Sequence, residues 1–324
     1  MVKSCFILLF IVFFSPPAFS ITYQELAELH EIISRGKAKE FSTKYEEEAK
    51  QLEKEGNLRK AAETYFKASM LERVSGNYQK GIICGDKAGE LAEKTGYLEI
   101  RARSAHQVAR SYLSIADFEK ALHFFKEASV FSEQLDLKGV QASSYAGIGN
   151  IYRRTSKLKE ALEYQKKAYA GYEILVSETG GLANLSPTSN ARKARKMSKN
   201  PAAVRNFIDI AVDLGDTYAA LNDFKSAADL YDHALKYASG VPDRTLKVYL
   251  SIGNSWSEKG DYQKGLEYHM KALELAYAVN IPSFVSAVNY AVARDYQTMG
   301  KLDDAVTYYT KAVAALEDQR SMLQ

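Results

Sequence analysis

Cysteine is almost missing from this chain: two in 324 residues, Cys5 and Cys84. Cys5 sits in a leader-like start, so the mature chain would keep Cys84 alone. No intramolecular disulfide is then available, and stability has to come from packing. Charge of one sign is also lacking, with 43 basic against 40 acidic residues and a formal balance of +3. So small an excess gives no electrostatic reason to expect nucleic acid or an anionic membrane as partner. Histidine occurs five times, at 30, 106, 123, 233 and 269, never with a second one three or four residues away, so no helix presents a two-histidine metal face. Glycine-rich phosphate loops, a nucleophile elbow and a Cys-X-X-Cys pair are absent too. With none of these motifs, no enzymatic activity, metal or cofactor is expected.

Residues 1–20 read as a signal peptide. Lys3 supplies the positive start, 6–14 (FILLFIVFF) is an unbroken apolar run, Pro16 and Pro17 end it, and Ala18 to Ser20 offers small residues for cleavage. The run is about half of the ~20 residues that cross a bilayer. The expectation is an exported protein, periplasmic or secreted, mature from Ile21 and without stable membrane insertion; a retained anchor is the alternative.

What the chain does have is recurrence. In 250–275, Leu250, Ile252, Trp256, Tyr262, Leu266, Met270 and Leu273 lie at helical steps, with Gly260 and Asp261 placed to close one helix and cap the next. The same unit returns around Ala88, Ala128, Ala168, Ala234, Ala272 and Ala312, at spacings of 40, 40, 66, 38 and 40. Around each anchor two small residues are spaced for a close helix crossing: Ser69/Gly81, Ala109/Ala121, Gly149/Ala161, Gly215/Ala227, Gly253/Gly265 and Ala293/Ala305. An aromatic wedge accompanies them at Tyr112, Tyr152, Tyr218, Trp256 and Tyr296, with Glu72 as the exception, and Trp256 is expected to fill the gap beside Gly253 and Gly265. Apolar periodicity alone suits any helical bundle, whereas small residues locked in phase specify stacked hairpins.

This pattern resembles the tetratricopeptide repeat in a long form of about 40 residues. The resemblance implies an all-α fold, an α-α superhelix of about six to seven helical hairpins. Its parts are expected as N-terminal capping helices or a degenerate repeat at 21–56, units 1–3 at 57–177, an insertion at 178–200, and units 4–6 at 201–324. The insertion is rich in Gly and Ser, then in Lys and Arg. A solvated linker is the ordinary reading, and a basic grip on an acidic partner is the alternative.

In tetratricopeptide repeats the first helices line an inner groove through the second, fifth, ninth, twelfth and thirteenth positions. Carried over, these positions give as candidates Phe66, Arg73, His106, Arg110, Asn150, Arg153, Arg154, Asp216, Asn254, Tyr290, Arg294 and Gln297. Arginine suits carboxylates and asparagine suits an extended backbone, so the expected partner is a protein or peptide. The carboxylate clamp known in some of these arrays does not fit, because Asn150 is followed by the acids Asp209 and Asp216. The end of the chain, 312–320, also resembles the last helix of arrays preceding CHAT peptidase domains, which makes a regulatory array of such a system the alternative to a free-standing scaffold.

Overall fold

The computed structural model describes residues 28–178, apart from 30 and 34, and 201–321. Every regular element among the described residues is helical. Thirteen helices follow one another: α1 (Ala38–Lys54), α2 (Leu58–Val74), α3 (Tyr78–Lys94), α4 (Leu98–Ser114), α5 (Phe118–Gln134), α6 (Lys138–Arg154), α7 (Leu158–Glu178), α8 (Pro201–Ala220), α9 (Phe224–Ala238), α10 (Pro242–Glu258), α11 (Tyr262–Val279), α12 (Pro282–Thr298) and α13 (Leu302–Ser321). The expected signal segment and most of the basic insertion lie outside the described residues. Within the chain two compact units form, 1–107 and 108–324, and the boundary falls inside α4.

The turns reveal a finer period than the hairpin. A residue with left-handed backbone recurs every 20 positions, at Gly36, Gly56, Gly76, Gly96, Ala116, Asp136 and Ser156, and again at Gly240, Gly260, Asn280 and Gly300. All but Gly240 and Asn280 let their helix end in the same way. At Gly260 the amide bonds to Ser257 and the next amide, Asp261, reaches back to Trp256, the paired arrangement that satisfies the last carbonyls. The Asp261 side chain then caps α11 by accepting from the Lys264 amide. Turns within hairpins and turns between them are therefore one device. Ala116 and Ser156 hold this conformation with a Cβ, at φ of 61° and 60°. Ala116→Gly and Ser156→Gly should each raise stability by about 0.5–1 kcal/mol, read as a higher urea midpoint at unchanged slope.

The small-residue register places the helix crossings. All six anchor alanines are buried, Ala168 and Ala272 completely. In the first unit the Ser69 hydroxyl donates to the Gly81 carbonyl at 2.6 Å. In the later hairpins each first-helix glycine receives a large side chain from 16 positions on. A Cβ at Gly149 would lie 2.7 Å from Gln165, one at Gly215 2.6 Å from Tyr231, and one at Gly253 2.3 Å from His269. The filler beside Gly253 is thus His269, and the expectation that Trp256 fills that gap is corrected. Trp256 is only half-buried, and the ammonium groups of Lys259 and Lys264 lie over its ring at 4.9 and 4.4 Å.

At two wedge positions a lysine eight residues later covers the ring. Lys120 lies over Tyr112 at 5.2 Å, as Lys264 does over Trp256. Where the wedge is Glu72, the same lysine position makes an ion pair, Lys80 to Glu72 at 2.9 Å. Ser42 and Asn77 also donate to this carboxylate. Burial pushes Glu72 up, but Lys80, Asn77 and Ser42 outweigh it and hold the group below the ordinary carboxylate value. The exception in the sequence pattern is a charge-for-aromatic exchange at a covered site.

Candidate interaction face

In the unit 108–324 the first helices of successive hairpins touch one another, α6 with α8, α8 with α10 and α10 with α12. They form its inner layer. Neighbouring repeats are stitched there by charge. The Lys247 ammonium of α10 sits 3.2 Å from Asp209 and 3.3 Å from Asp213 of α8, and Arg244 reaches Asp209 at 3.1 Å. Burial alone would lower Lys247, yet Asp213, Asp209 and Asp216 together hold it above its ordinary value.

Asp216 completes the row. Its carboxylate accepts a hydrogen bond from the Tyr231 hydroxyl at 2.9 Å. Although part of its surface is accessible, protein surrounds it, and burial followed by the nearby Asp213 charge pushes its pKa up to about 6. The folded chain then binds this proton more tightly than the unfolded one between about pH 4 and 6. The sign follows: stability contributed by the protonated group is present at low pH and is lost as pH rises through about 6. Asp216→Asn removes that proton and can still accept from Tyr231. Its melting temperature relative to wild type should climb across pH 4 to 6 and level off above, as followed by circular dichroism.

Two cations on first helices of 108–324 are differently placed. Arg110 of α4 is solvent-accessible, but the surrounding protein lowers its guanidinium below the ordinary value, and Tyr172 of α7 is its one electrostatic neighbour of note. No ion pair engages it among the described residues. Arg153 of α6 has a buried Nε without a hydrogen-bond partner, and its charge reaches Asp216. Tyr172 is itself buried, pushed up by that burial and hydrogen-bonded to Ser143 and Asn206.

The twelve candidate residues divide between the two units. Phe66, Arg73 and His106 lie in 1–107. Phe66, 3% exposed, belongs to the core with Tyr97 and Ile100, and His106 is 7% exposed. Both are corrected as groove residues, because the helix face they occupy is packed. Arg73 donates to Gln107 at 2.9 Å. In 108–324, Arg153 is on α6 and Asp216 on α8, two helices of the inner layer, Asn150 is on α6, and Arg110 is on α4. Arg154 leaves them, lying over the Phe118 ring at 4.8 Å. Asn254 accepts from Arg294 at 2.9 Å, and Gln297 accepts from the Tyr309 hydroxyl at 2.7 Å. With Leu250, Tyr290 and Leu316, Asn254 and Arg294 line a depression of about 530 Å³.

Sequence reasoning did not single out Lys247, Arg244, Asp213 or Tyr172. One signal was there: Asp209, Asp213 and Asp216 step by four and three residues and so share a face of α8. The cations that answer Asp209 and Asp213 are 34 to 38 residues away, which no local pattern reveals.

A serine, a histidine and an aspartate do meet between α10, α11 and α12. Ser257 donates to Asp295 at 2.7 Å, and His269 Nδ1 meets the other carboxylate oxygen at 2.5 Å. The carboxylate stands between serine and histidine, so the histidine cannot take the serine proton as a general base would. This cluster is a core crossing. Among the described residues no group of three or more His, Cys, Asp or Glu is placed to hold a metal ion, and no helix is long and apolar enough to cross a membrane.

Stacked two-helix units with a small-residue crossing and a polar inner layer define an all-α helical-repeat protein. Residues 141–179 and 208–240 each match a model of the tetratricopeptide repeat. Those two stretches are tetratricopeptide repeats. Among curated proteins, the 43 kDa receptor-associated protein of the synapse from Tetronarce californica is 29% identical over 121 residues, 36% of this chain and 29% of that protein. Tetratricopeptide repeat protein 29 of Trypanosoma brucei brucei is 24% identical over 194 residues, 58% of this chain. The match spans about a third or less of each of these relatives, 29% and 35%. Among solved structures, the apo form of RapI superposes with a TM-score of 0.61 at 14% identity, covering 86% of this chain and 99% of that one. A Rap protein complexed with competence and sporulation factor gives 0.55 at 16%, covering 92% and 81%. At these identities the likeness is one of fold.

Proposed function

We propose that this protein is a non-enzymatic scaffold, exported from the cytoplasm, whose inner layer in 108–324 binds an extended protein or peptide segment bearing a carboxylate. The observation that carries this reading is Arg110. Asp209 and Asp213 of α8 are already answered by Lys247 and Arg244, whereas Arg110 stands partly desolvated with no carboxylate paired to it among the described residues. A guanidinium in such surroundings gains more from a ligand carboxylate than one in open water, because less hydration is lost on pairing. Asn150, half-buried and one repeat further along, is placed to pair with a ligand backbone. The Rap protein solved with competence and sporulation factor offers a precedent for a partner held by this fold. Export is supported by the pattern of residues 1–20, and the secreted chain should begin at Ile21 on N-terminal sequencing.

A photo-cross-linking residue in place of Asn150 should capture a partner that the same residue at Lys126, exposed on the second helix α5, does not. Arg110→Ala should cut that capture about tenfold, since charge-assisted hydrogen bonds of this kind contribute about 1.5–3 kcal/mol. Its melting temperature should stay within about a degree of wild type, as for other exposed positions. Equal capture from both positions, or capture indifferent to Arg110, would refute the reading.

A further inference from the structure

On α13, Leu302, Val306, Tyr309, Val313 and Leu316 step by four, three, four and three residues and so form one apolar stripe. Leu302, Val306, Val313 and Leu316 are 63, 64, 55 and 52% exposed. Isolated apolar residues on a surface are ordinary, but a continuous stripe of them marks an interface.

The repeat itself shows what such a stripe receives. Forty residues earlier, the same register on α11 reads Tyr262, Leu266, His269, Leu273 and Ala276. There Leu266 is 7% exposed, Leu273 6% and Ala276 0%. These three share a core cluster with Val285, Val288 and Val292 of α12, the helix that follows. The contrast at one register, sealed on α11 and open on α13, isolates the contribution of the covering helix. The stripe on α13 is the receiving half of an interface that α11 and α12 complete.

We propose that this face binds an amphipathic helix of a partner protein, with β-branched residues at three- and four-residue steps and basic residues along its edge. The charge requirement comes from Asp303 and Glu317, both exposed, which border the stripe on the same side. A second copy of α13 suits the face poorly, because antiparallel pairing sets Asp303 of one copy against Glu317 of the other. The site does not include Arg110, although Val313 and Leu316 also line the depression beside Asn254 and Arg294.

The probe is a fluorescent peptide of the α12 sequence, residues 282–298, held helical by a staple. It carries Ser283→Lys, Ala287→Lys and Tyr290→Lys, and a second version has glutamate at the same three positions. The lysine peptide should bind the full chain saturably by anisotropy, and the glutamate version more weakly. Val306→Asp with Val313→Asp in the protein should weaken binding at least about tenfold, the loss expected from two unburied aliphatic side chains. Arg110→Ala should leave peptide binding unchanged, so the fate of the inner layer is read separately. Absence of saturable binding, or binding indifferent to the stripe variant, overturns the proposal. So does a wild-type dimer in sedimentation that the stripe variant dissolves, which would make a second copy the occupant. Unfolding of the variant overturns it as well, since it would show the stripe to be covered within the chain.

Discussion

Asp295→Ala should destabilise the chain by about 3–5 kcal/mol, the range for removing one partner of a buried polar pair. Asp295 is 1% exposed and His269 0%, and the carboxylate answers both the Ser257 hydroxyl and His269 Nδ1. An ionised carboxylate only accepts, so Nδ1 carries the hydrogen it donates. Alanine leaves that donor facing a cavity. His269 Nε2 already has no partner, so the whole imidazole would become a buried polar group without a hydrogen bond. Ser257 is less affected, because its hydroxyl also lies 3.1 Å from the Gly253 carbonyl.

Other repeats point to the compensating change. The position of His269 is Phe125 and Tyr231 elsewhere, and the residues that stand where Asp295 does in the repeat after each are Ile151 and Ser255. His269→Phe combined with Asp295→Ser should therefore recover most of the loss, giving a large coupling in a double-mutant cycle read by urea denaturation. Equal losses in the single and the double variant would show that the crossing does not depend on the pair.

Gly149→Leu is the second large effect, a loss of about 2–4 kcal/mol from overpacking. A Cβ there would stand 2.7 Å from Gln165 Cγ, 3.3 Å from the Gln165 amide nitrogen and 3.4 Å from the Ala161 carbonyl. The side-chain neighbour could yield, but the backbone of α7 cannot move without opening the hairpin. Gly139 serves as the control on the same helix, since nothing lies within 4 Å of a Cβ built there. Gly139→Ala should be neutral or stabilise by up to about 1 kcal/mol through helix propensity. An unchanged melting temperature for Gly149→Leu would mean that the crossing lies elsewhere.

Much of the fold was legible because a close helix crossing restricts residue type. Only small residues permit it, so Ser69/Gly81 through Ala293/Ala305 could be aligned without any structure. Turns between hairpins were less visible. Gly96, Asp136, Gly240 and Asn280 share the backbone of Gly76 and Gly260, yet three residue types occur among them, so composition did not mark them as equivalent. The inner layer was legible in part. Phe66 and His106, which the repeat register puts on the groove, are packed instead. A rotation of a fraction of a turn about the helix axis decides between groove and core, and apolar spacing is too coarse to resolve it. Trp256 failed in the same way: the sequence has a large ring near Gly253 but does not say which large side chain enters the gap.

By itself the amino-acid sequence determined that this chain is an all-α stack of two-helix units, and where those units cross, since both follow from short-range patterns of small and apolar residues. Only the tertiary structure decided how the charges are shared. Lys247 answers Asp209 and Asp213 from 34 to 38 residues away, Arg110 makes no ion pair among the described residues, and the stripe of α13 stays open where that of α11 is sealed. The reason is physical: packing patterns act within a helix or a turn, whereas burial and pairing depend on which helices come to lie side by side.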